Sequence, residues 1–265
     1  MQISEKNIIS TEQVANFQTN GHILLRRVAA TDEINFYRPI ISQAAFKHSS
    51  ETRKLAERDT YSKAFLQITN LWELDKQVKK FVFAKKFAQI AADLLGVEKV
   101  RLYHDQALFK EGGGGFTPWH QDQFYWNLDT TKTITMWMPL VDISTEMGLM
   151  KFANKSHQSG LFDAVTISER SDEIYAQIIA EQGFEVSHPI AMKAGDATFH
   201  YGHTIHCADP NQTQITREIF TIIYFADGAR ITEPINHFQK ADHERWLDSI
   251  GVGEIATGKL NPILN

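Results

Sequence analysis

At Gly96 the hydrophobic pattern of this chain changes period, and that change limits the folds open to it. Across residues 75–95, Val78, Phe81, Val82, Phe87, Ile90, Ala91, Leu94 and Leu95 recur at helical spacing, and Gly96 stops the run. Beyond it, residues 100–109, 131–143, 186–193, 197–207 and 215–225 read as strands. Gly195-Asp196 and Asp209-Pro210-Asn211-Gln212 supply the turns between them. Upstream, Ser10 and Gln13 have capping-box spacing for a helix over 10–20 that Gly21 ends, and 22–28 is a short strand candidate. Thr31 caps a second helix, which Pro39 should kink or divide. Residues 49–63 read as a surface loop or frayed helix, and 65–72 are apolar without a clear period. Residues 240–250 are helical in pattern, and the tail after Gly251 is loop. The chain is therefore mainly β with flanking helices in one domain over 1–265. Its mainly helical layer is 1–96, its antiparallel sandwich or barrel core 97–228, and its C-terminal helix and tail 229–265.

Composition narrows the function classes. With 43% hydrophobic and 22% charged residues, this is an ordinary globular composition. A net charge of −5 argues against a nucleic-acid partner held by phosphate neutralisation. No run approaches the roughly 18 apolar residues of a membrane span, and no signal peptide is evident. A cytoplasmic protein with no membrane partner is expected. The single cysteine, Cys207, excludes an internal disulfide framework.

The chemistry begins at Thr117-Pro118-Trp119-His120-Gln121-Asp122, just past Gly112–Gly115. On an extended segment, side chains two apart point to the same side, so an imidazole nitrogen and a carboxylate oxygen converge. That is two-thirds of the 2-His-1-carboxylate triad of non-haem iron oxygenases. A third ligand must come from elsewhere, and His200, His203 and His206 compete for the place. In a regular strand His200 and His206 share a face and His203 opposes them. His206, at the strand end, is the leading candidate and His200 the second. Cys207, of opposite parity to His206, should point away from the metal.

Arg217 bears on the ligand. It shares strand parity with Ile219, Thr221, Ile223 and Phe225. If that face is interior, the guanidinium needs an anionic partner, since a buried cation is costly unpaired and a carboxylate suits it. If the Glu218, Phe220, Ile222 and Tyr224 face is interior, Arg217 is solvated. Parity alone leaves both open.

These pieces, in this order, resemble the phytanoyl-CoA dioxygenase family of Fe(II)/2-oxoglutarate-dependent oxygenases. The resemblance rests on Trp119-His120-Gln121-Asp122, Trp137-Met138-Pro139-Leu140-Val141-Asp142, Glu146-Met147-Gly148, Gly195-Asp196 and His206-Cys207-Ala208-Asp209-Pro210-Asn211, followed by Arg217. It covers about residues 100–227. It implies a double-stranded β-helix, the cupin-like jelly roll. It also implies His120, Asp122 and His206 as iron ligands and Arg217 as the anchor of the distal carboxylate of 2-oxoglutarate. Trp137 falls where the family places an aromatic beside that cosubstrate. Thr135, on the same strand face, is a candidate hydrogen-bond donor to it, and Gln106 on the preceding strand a candidate contact. One departure stands out: Lys155-Ser156-His157 replaces the family's Gly-Ser-His.

The implied activity is hydroxylation of an unactivated C–H bond of a small molecule, using Fe(II), 2-oxoglutarate and O2 and releasing succinate and CO2. Related halogenases replace the carboxylate ligand with Ala or Gly; Asp122 is kept here, which favours hydroxylation. The alternative is a cupin-like metal-binding isomerase or ligand-binding protein without redox chemistry, and Arg217 separates the two. Gly112–Gly115 lacks the pattern of a phosphate loop and reads as a lid hinge. Phe124-Tyr125-Trp126 is a candidate pocket wall, and His104 and His157 read as structural.

Overall fold

The structure is a computed structural model describing residues 1–4, 9–162 and 166–265. In chain order its elements are α1 (Thr11–Asn20), β1 (His22–Leu25), α2 (Thr31–His48), α3 (Thr60–Ala64), β2 (Leu66–Thr69), α4 (Leu71–Leu74), α5 (Lys76–Val82) and α6 (Lys85–Leu95). There follow β3 (Val100–Lys110), β4 (Thr117–His120), β5 (Thr133–Pro139), β6 (Met150–Phe152), α7 (Glu169–Gln182), β7 (Ala197–Tyr201), β8 (His206–Ala208), β9 (Arg217–Ala226) and α8 (His237–Trp246).

All strand pairs are antiparallel. A six-stranded sheet runs β1-β7-β5-β9-β3-β2, and a three-stranded sheet runs β4-β8-β6. This is the expected jelly roll with flanking helices. The N-terminal layer is not helical throughout, because β1 extends the large sheet beyond β7 and β2 extends it beyond β3. The apolar stretch over 65–72 divides into β2 and α4.

The large sheet is covered on both faces. Helix α6 packs on the outer side of β3, β5 and β9. There Met136, Met138, Phe220, Ile222 and Tyr224 join Ala88, Ala91 and Leu95 in one core. Glu218, of the same parity, accepts from Arg38 Nη2 at 2.8 Å and from Ser42 Oγ at 2.8 Å, both on α2. The alternate residues Thr135, Trp137, Arg217, Thr221 and Ile223 line the cavity between the sheets. The interior face of β9 is therefore the Arg217 face. Periodicity could not choose because β9 is buried on both sides, as central strands beneath a helical layer are.

Local readings are corrected at several points. Pro39 neither ends nor divides α2, which continues to His48. Its cap is Ala30 rather than Thr31, with the Glu33 side chain accepting from the Ala30 amide at 2.7 Å. The 75–95 run breaks at Phe83 into α5 and α6, and Gly96 caps the second at φ +68°. Residues 186–193 form only isolated bridges, Val186 with Ala153 and Met192 with Ile143. The 197–207 strand is two strands in different sheets, β7 and β8, joined by a turn. Helix α7 had a readable signature in the Ser168 cap and Gly183 stop that the strand pattern around it obscured. Among the described residues no helix is long and apolar enough to cross a membrane.

Candidate metal centre

His120 ends β4 and pairs directly with His206, the first residue of β8. Their rings lie 4.1 Å apart. Gln121 continues the extended path, and Asp122 opens a short 3-10 turn over Asp122–Tyr125. The i, i+2 geometry thus holds although the strand itself stops at His120. Asp122 Oδ1 is 3.5 Å from His120 Nε2 and 3.7 Å from His206 Nε2. One ligand atom from each of the three residues lies within 4.8 Å of the others, so the trio could hold a metal ion.

The nitrogen chemistry supports that fit. His120 Nδ1 is 2.8 Å from the Pro118 carbonyl, and His206 Nδ1 is 2.9 Å from the Thr204 carbonyl. A carbonyl only accepts, so each Nδ1 carries the proton and each Nε2 presents its lone pair to the centre. Asp122 is likewise divided. Its Oδ1 faces the two Nε2 atoms, while Oδ2 accepts from Thr135 Oγ1 at 2.9 Å and lies 3.3 Å from His200 Nε2. Burial pushes the Asp122 carboxyl up, but His206, His120 and His200 outweigh it and hold the group well below the usual carboxylate range. His206 is driven well below its ordinary value by burial, then by His120 and His200, against the opposing pull of Asp122.

Placement of the other candidates is mixed. His200 belongs to β7 of the large sheet and His206 to β8 of the small one, so the shared-face argument between them fails. They meet because the Gly202–Ile205 turn carries the chain across the gap. His203 lies outside the trio. Thr135 reaches the site, with its proton given to Asp122. Gln106 lines the cavity, but its Oε1 accepts from Gln67 Nε2 at 3.0 Å and its Nε2 lies 3.4 Å from His104 Nδ1. Cys207 borders the cavity but lies outside the trio, its thiol near Lys151 and Asp209. Tyr125 and Trp126 also line it, while Phe124 packs behind Tyr125 and Phe238.

Arg217 is 1% exposed at the far end of the cavity. Its Nη1 donates to the Gly148 carbonyl, its Nε has no partner, and its guanidinium carbon is 5.2 Å from the centre of the Trp137 ring. Burial alone pushes its pKa down to about 9. A guanidinium held this dry with an N–H to spare is suited to an anionic partner. Gly148 sits at φ +80°, and a Cβ there would come 2.1 Å from the Asp209 carbonyl oxygen. Only glycine lets this carbonyl approach.

The support of the ligands was not legible beforehand. Gln121, fully buried, donates through Nε2 to the His203 carbonyl at 2.6 Å and to the Gly160 carbonyl at 2.8 Å. It thereby pins the backbone between the two ligands to the turn that precedes His206. Ser156, also fully buried, donates to the Ala153 carbonyl and accepts from the Ile205 amide at 2.9 Å. Lys155 before it stands at φ +67°, the left-handed conformation that suits the glycine of the related motif. His157 stacks on Tyr201 with ring centres 5.0 Å apart, a packing role as expected. Gly112–Gly115 is tied down: the Gly113 amide donates to the Asn211 carbonyl at 3.0 Å, and the Gly115 amide to the Lys63 carbonyl at 2.8 Å.

A family model described as phytanoyl-CoA dioxygenase matches residues 17–219. A Dictyostelium discoideum phytanoyl-CoA dioxygenase domain-containing protein 1 homolog is 21% identical over 280 residues, covering 90% of this chain and 99% of its own. Among solved structures, the non-heme alpha-ketoglutarate-dependent carbocyclase SnoK from nogalamycin biosynthesis superposes with a TM-score of 0.79 at 21% identity, covering 97% of each chain. The epimerase SnoN from the same biosynthesis gives 0.78 at 23% identity, covering 96% of this chain and 97% of its own. At these identities the two structures show a common fold.

Proposed function

The chain belongs to the phytanoyl-CoA dioxygenase family, and from that premise we propose that it is a non-haem Fe(II)/2-oxoglutarate-dependent dioxygenase. Its reaction is the hydroxylation of an unactivated C–H bond of a small molecule, with release of succinate and CO2. The observation that carries this reading is the pairing of the His120, Asp122 and His206 trio with the dry, carboxylate-free Arg217 in one cavity of about 450 Å3.

His120, Asp122 and His206 would hold the iron through Nε2, Oδ1 and Nε2, the atoms that their own hydrogen bonds leave free. Bound iron supplies dioxygen activation, driven by oxidative decarboxylation of the cosubstrate. Arg217 receives the distal carboxylate of 2-oxoglutarate, with Nε among the donors and Trp137 under the guanidinium as a flat wall. Thr135 and His200 act on Asp122 Oδ2, keeping the carboxylate from rotating or chelating with both oxygens. Gln106, on β3 of the same sheet, is engaged by Gln67 and His104 rather than turned to the cosubstrate. The aromatic surfaces of Tyr125 and Trp126 exclude water from the reacting face.

The carbocyclase and epimerase of the same fold depend on the same cosubstrate by name, so fold alone does not choose the outcome. The retained Asp122 favours hydroxylation over halogenation. A cupin-like protein without redox chemistry would share the three ligands but would have no use for Arg217.

Anaerobic titration of the Fe(II)-loaded protein with 2-oxoglutarate tests this reading. A weak visible charge-transfer band is expected, and Arg217→Ala should require at least ~30-fold more ligand, the equivalent of about 2 kcal/mol for a lost charge-assisted pair. Asp122→Ala should bind iron poorly and release no substrate-coupled succinate. Iron held without any band would favour the non-redox alternative.

A further inference from the structure

Once Asp122 is assigned to the metal and Arg217 to the cosubstrate, the cavity wall still holds one carboxylate and one guanidinium. They are Asp242 and Arg245, both on α8. Three residues apart on a helix, they face the same way. No ion pair joins them within 4.0 Å. The Asp242 Oδ2 atom accepts only a long bond from Tyr103 Oη, at 3.3 Å, with the Trp246 side chain as a further donor. Arg245 lies over the Trp246 ring, 4.2 Å from its centre, and reaches Thr69 Oγ1 at 3.3 Å. Helix α8 is held over the metal side of the cavity by Gln239, whose Nε2 donates to the Phe124 carbonyl at 3.0 Å, two residues from Asp122.

The two charges differ in setting. Asp242 is half-buried, and burial pushes its carboxyl up to about 6 against the opposing pull of Tyr103, of the Arg245 charge and of Trp246. Arg245 is exposed at the rim. Between and around them stand Tyr61, Tyr125, Phe238 and Trp246, ring faces that attract a cation and shed water.

Resting on the oxygenase reading above, we propose that Asp242 and Arg245 select a zwitterionic substrate, an amino acid or close derivative, with its ammonium on Asp242 and its carboxylate on Arg245. A neutral substrate would displace water from the half-buried Asp242 and leave it no charge-assisted contact of its own, and an anionic one would meet repulsion there. A zwitterion satisfies both groups at once. Opposite charges one helical turn apart on the same face suit a ligand that carries its amine and its acid close together. The aromatic walls then take its side chain.

The test is ligand-observed NMR titration of the full chain with the twenty protein amino acids, and then with the N-acetyl and methyl-ester forms of the best binder. The free amino acid should bind at least ~10-fold more tightly than either capped form, a difference of about 1.4 kcal/mol. Asp242→Asn should erase the penalty for the N-acetyl form and keep that for the ester. Arg245→Gln should do the reverse. Equal binding of all three forms, preferences that survive both substitutions, or no binder at millimolar concentration would overturn the proposal. Because binding is read without turnover, the outcomes separate. Loss of the charge-transfer band with the charge preferences intact rejects the oxygenase alone. An intact band without charge preferences rejects the zwitterion alone.

Discussion

Lys155 occupies a left-handed backbone conformation at φ +67° and ψ −1°. A side chain there costs roughly 1 kcal/mol relative to glycine, because its Cβ crowds the following carbonyl. Lys155→Gly should therefore raise the stability of the protein by up to about 1 kcal/mol, offset in part by the greater freedom of glycine in the unfolded chain. Urea denaturation checks this, and a lower midpoint would show that the Lys155 side chain makes a compensating contact. The departure from the related Gly-Ser-His motif is thus a matter of backbone strain, and the ligands are untouched by it. At this scale much was readable: His120, Asp122, His206 and Arg217 all stand in one cavity. What could not be read was the division of labour within Asp122, where Thr135 and His200 lie at one oxygen and the other faces His120 and His206. That depends on β5 and β7 lying side by side, with Thr135 opposite His200.

At the scale of elements, the metal centre depends on three residues of β8, a strand too short to specify its own path. Its register is set from outside, by the three successive pairs with β6, by His120 across the β4 pairing and by Ser156 at the Ile205 amide. Ser156→Ala leaves that buried N–H without a partner and should cost about 1–3 kcal/mol. Because Ile205 immediately precedes His206, the same variant should bind Fe(II) several-fold more weakly. A loss of stability with unchanged metal affinity would show that Ser156 serves packing alone. The element boundaries that failed in the sequence failed for physical reasons. The 197–207 run has strand composition throughout, but the chain must change sheets to close the roll. Residues 186–193 alternate like a strand yet run along the sheet margin, bonding only at single bridges.

Across the whole molecule, the proposed ligands join the two sheets. His120 and His206 belong to the small sheet, and Arg217 lies on the large one. Metal alone would tighten the small-sheet side, whereas 2-oxoglutarate would span from the metal to Arg217 and clamp the sheets together. At hundredfold excess over its Kd such a ligand adds about 2.7 kcal/mol, or roughly 5 °C or more in Tm for a chain of this size. We expect Fe(II) to raise Tm, 2-oxoglutarate to raise it again only in metal-loaded protein, and a chelator to reverse both. Arg217→Ala should abolish the second step and keep the first. A cosubstrate increment that persists in Arg217→Ala would place the anchor elsewhere.

By itself the sequence determined the chemistry on offer: a His-x-Asp pair on extended chain, a late histidine before a turn, and an arginine on a strong strand. It also determined the order of helical layer before strands, since hydrophobic period follows local geometry. The tertiary structure decided which face of β9 is interior, because a strand covered on both sides carries no alternation to read. The preference for His206 over His200 was already readable from its place at a strand end; the structure added the reason, placing the two on different sheets with His200 Nε2 turned to Asp122 Oδ2. It alone brought α8 to the cavity wall, where Asp242 and Arg245 lie far in sequence from His120, Asp122 and His206.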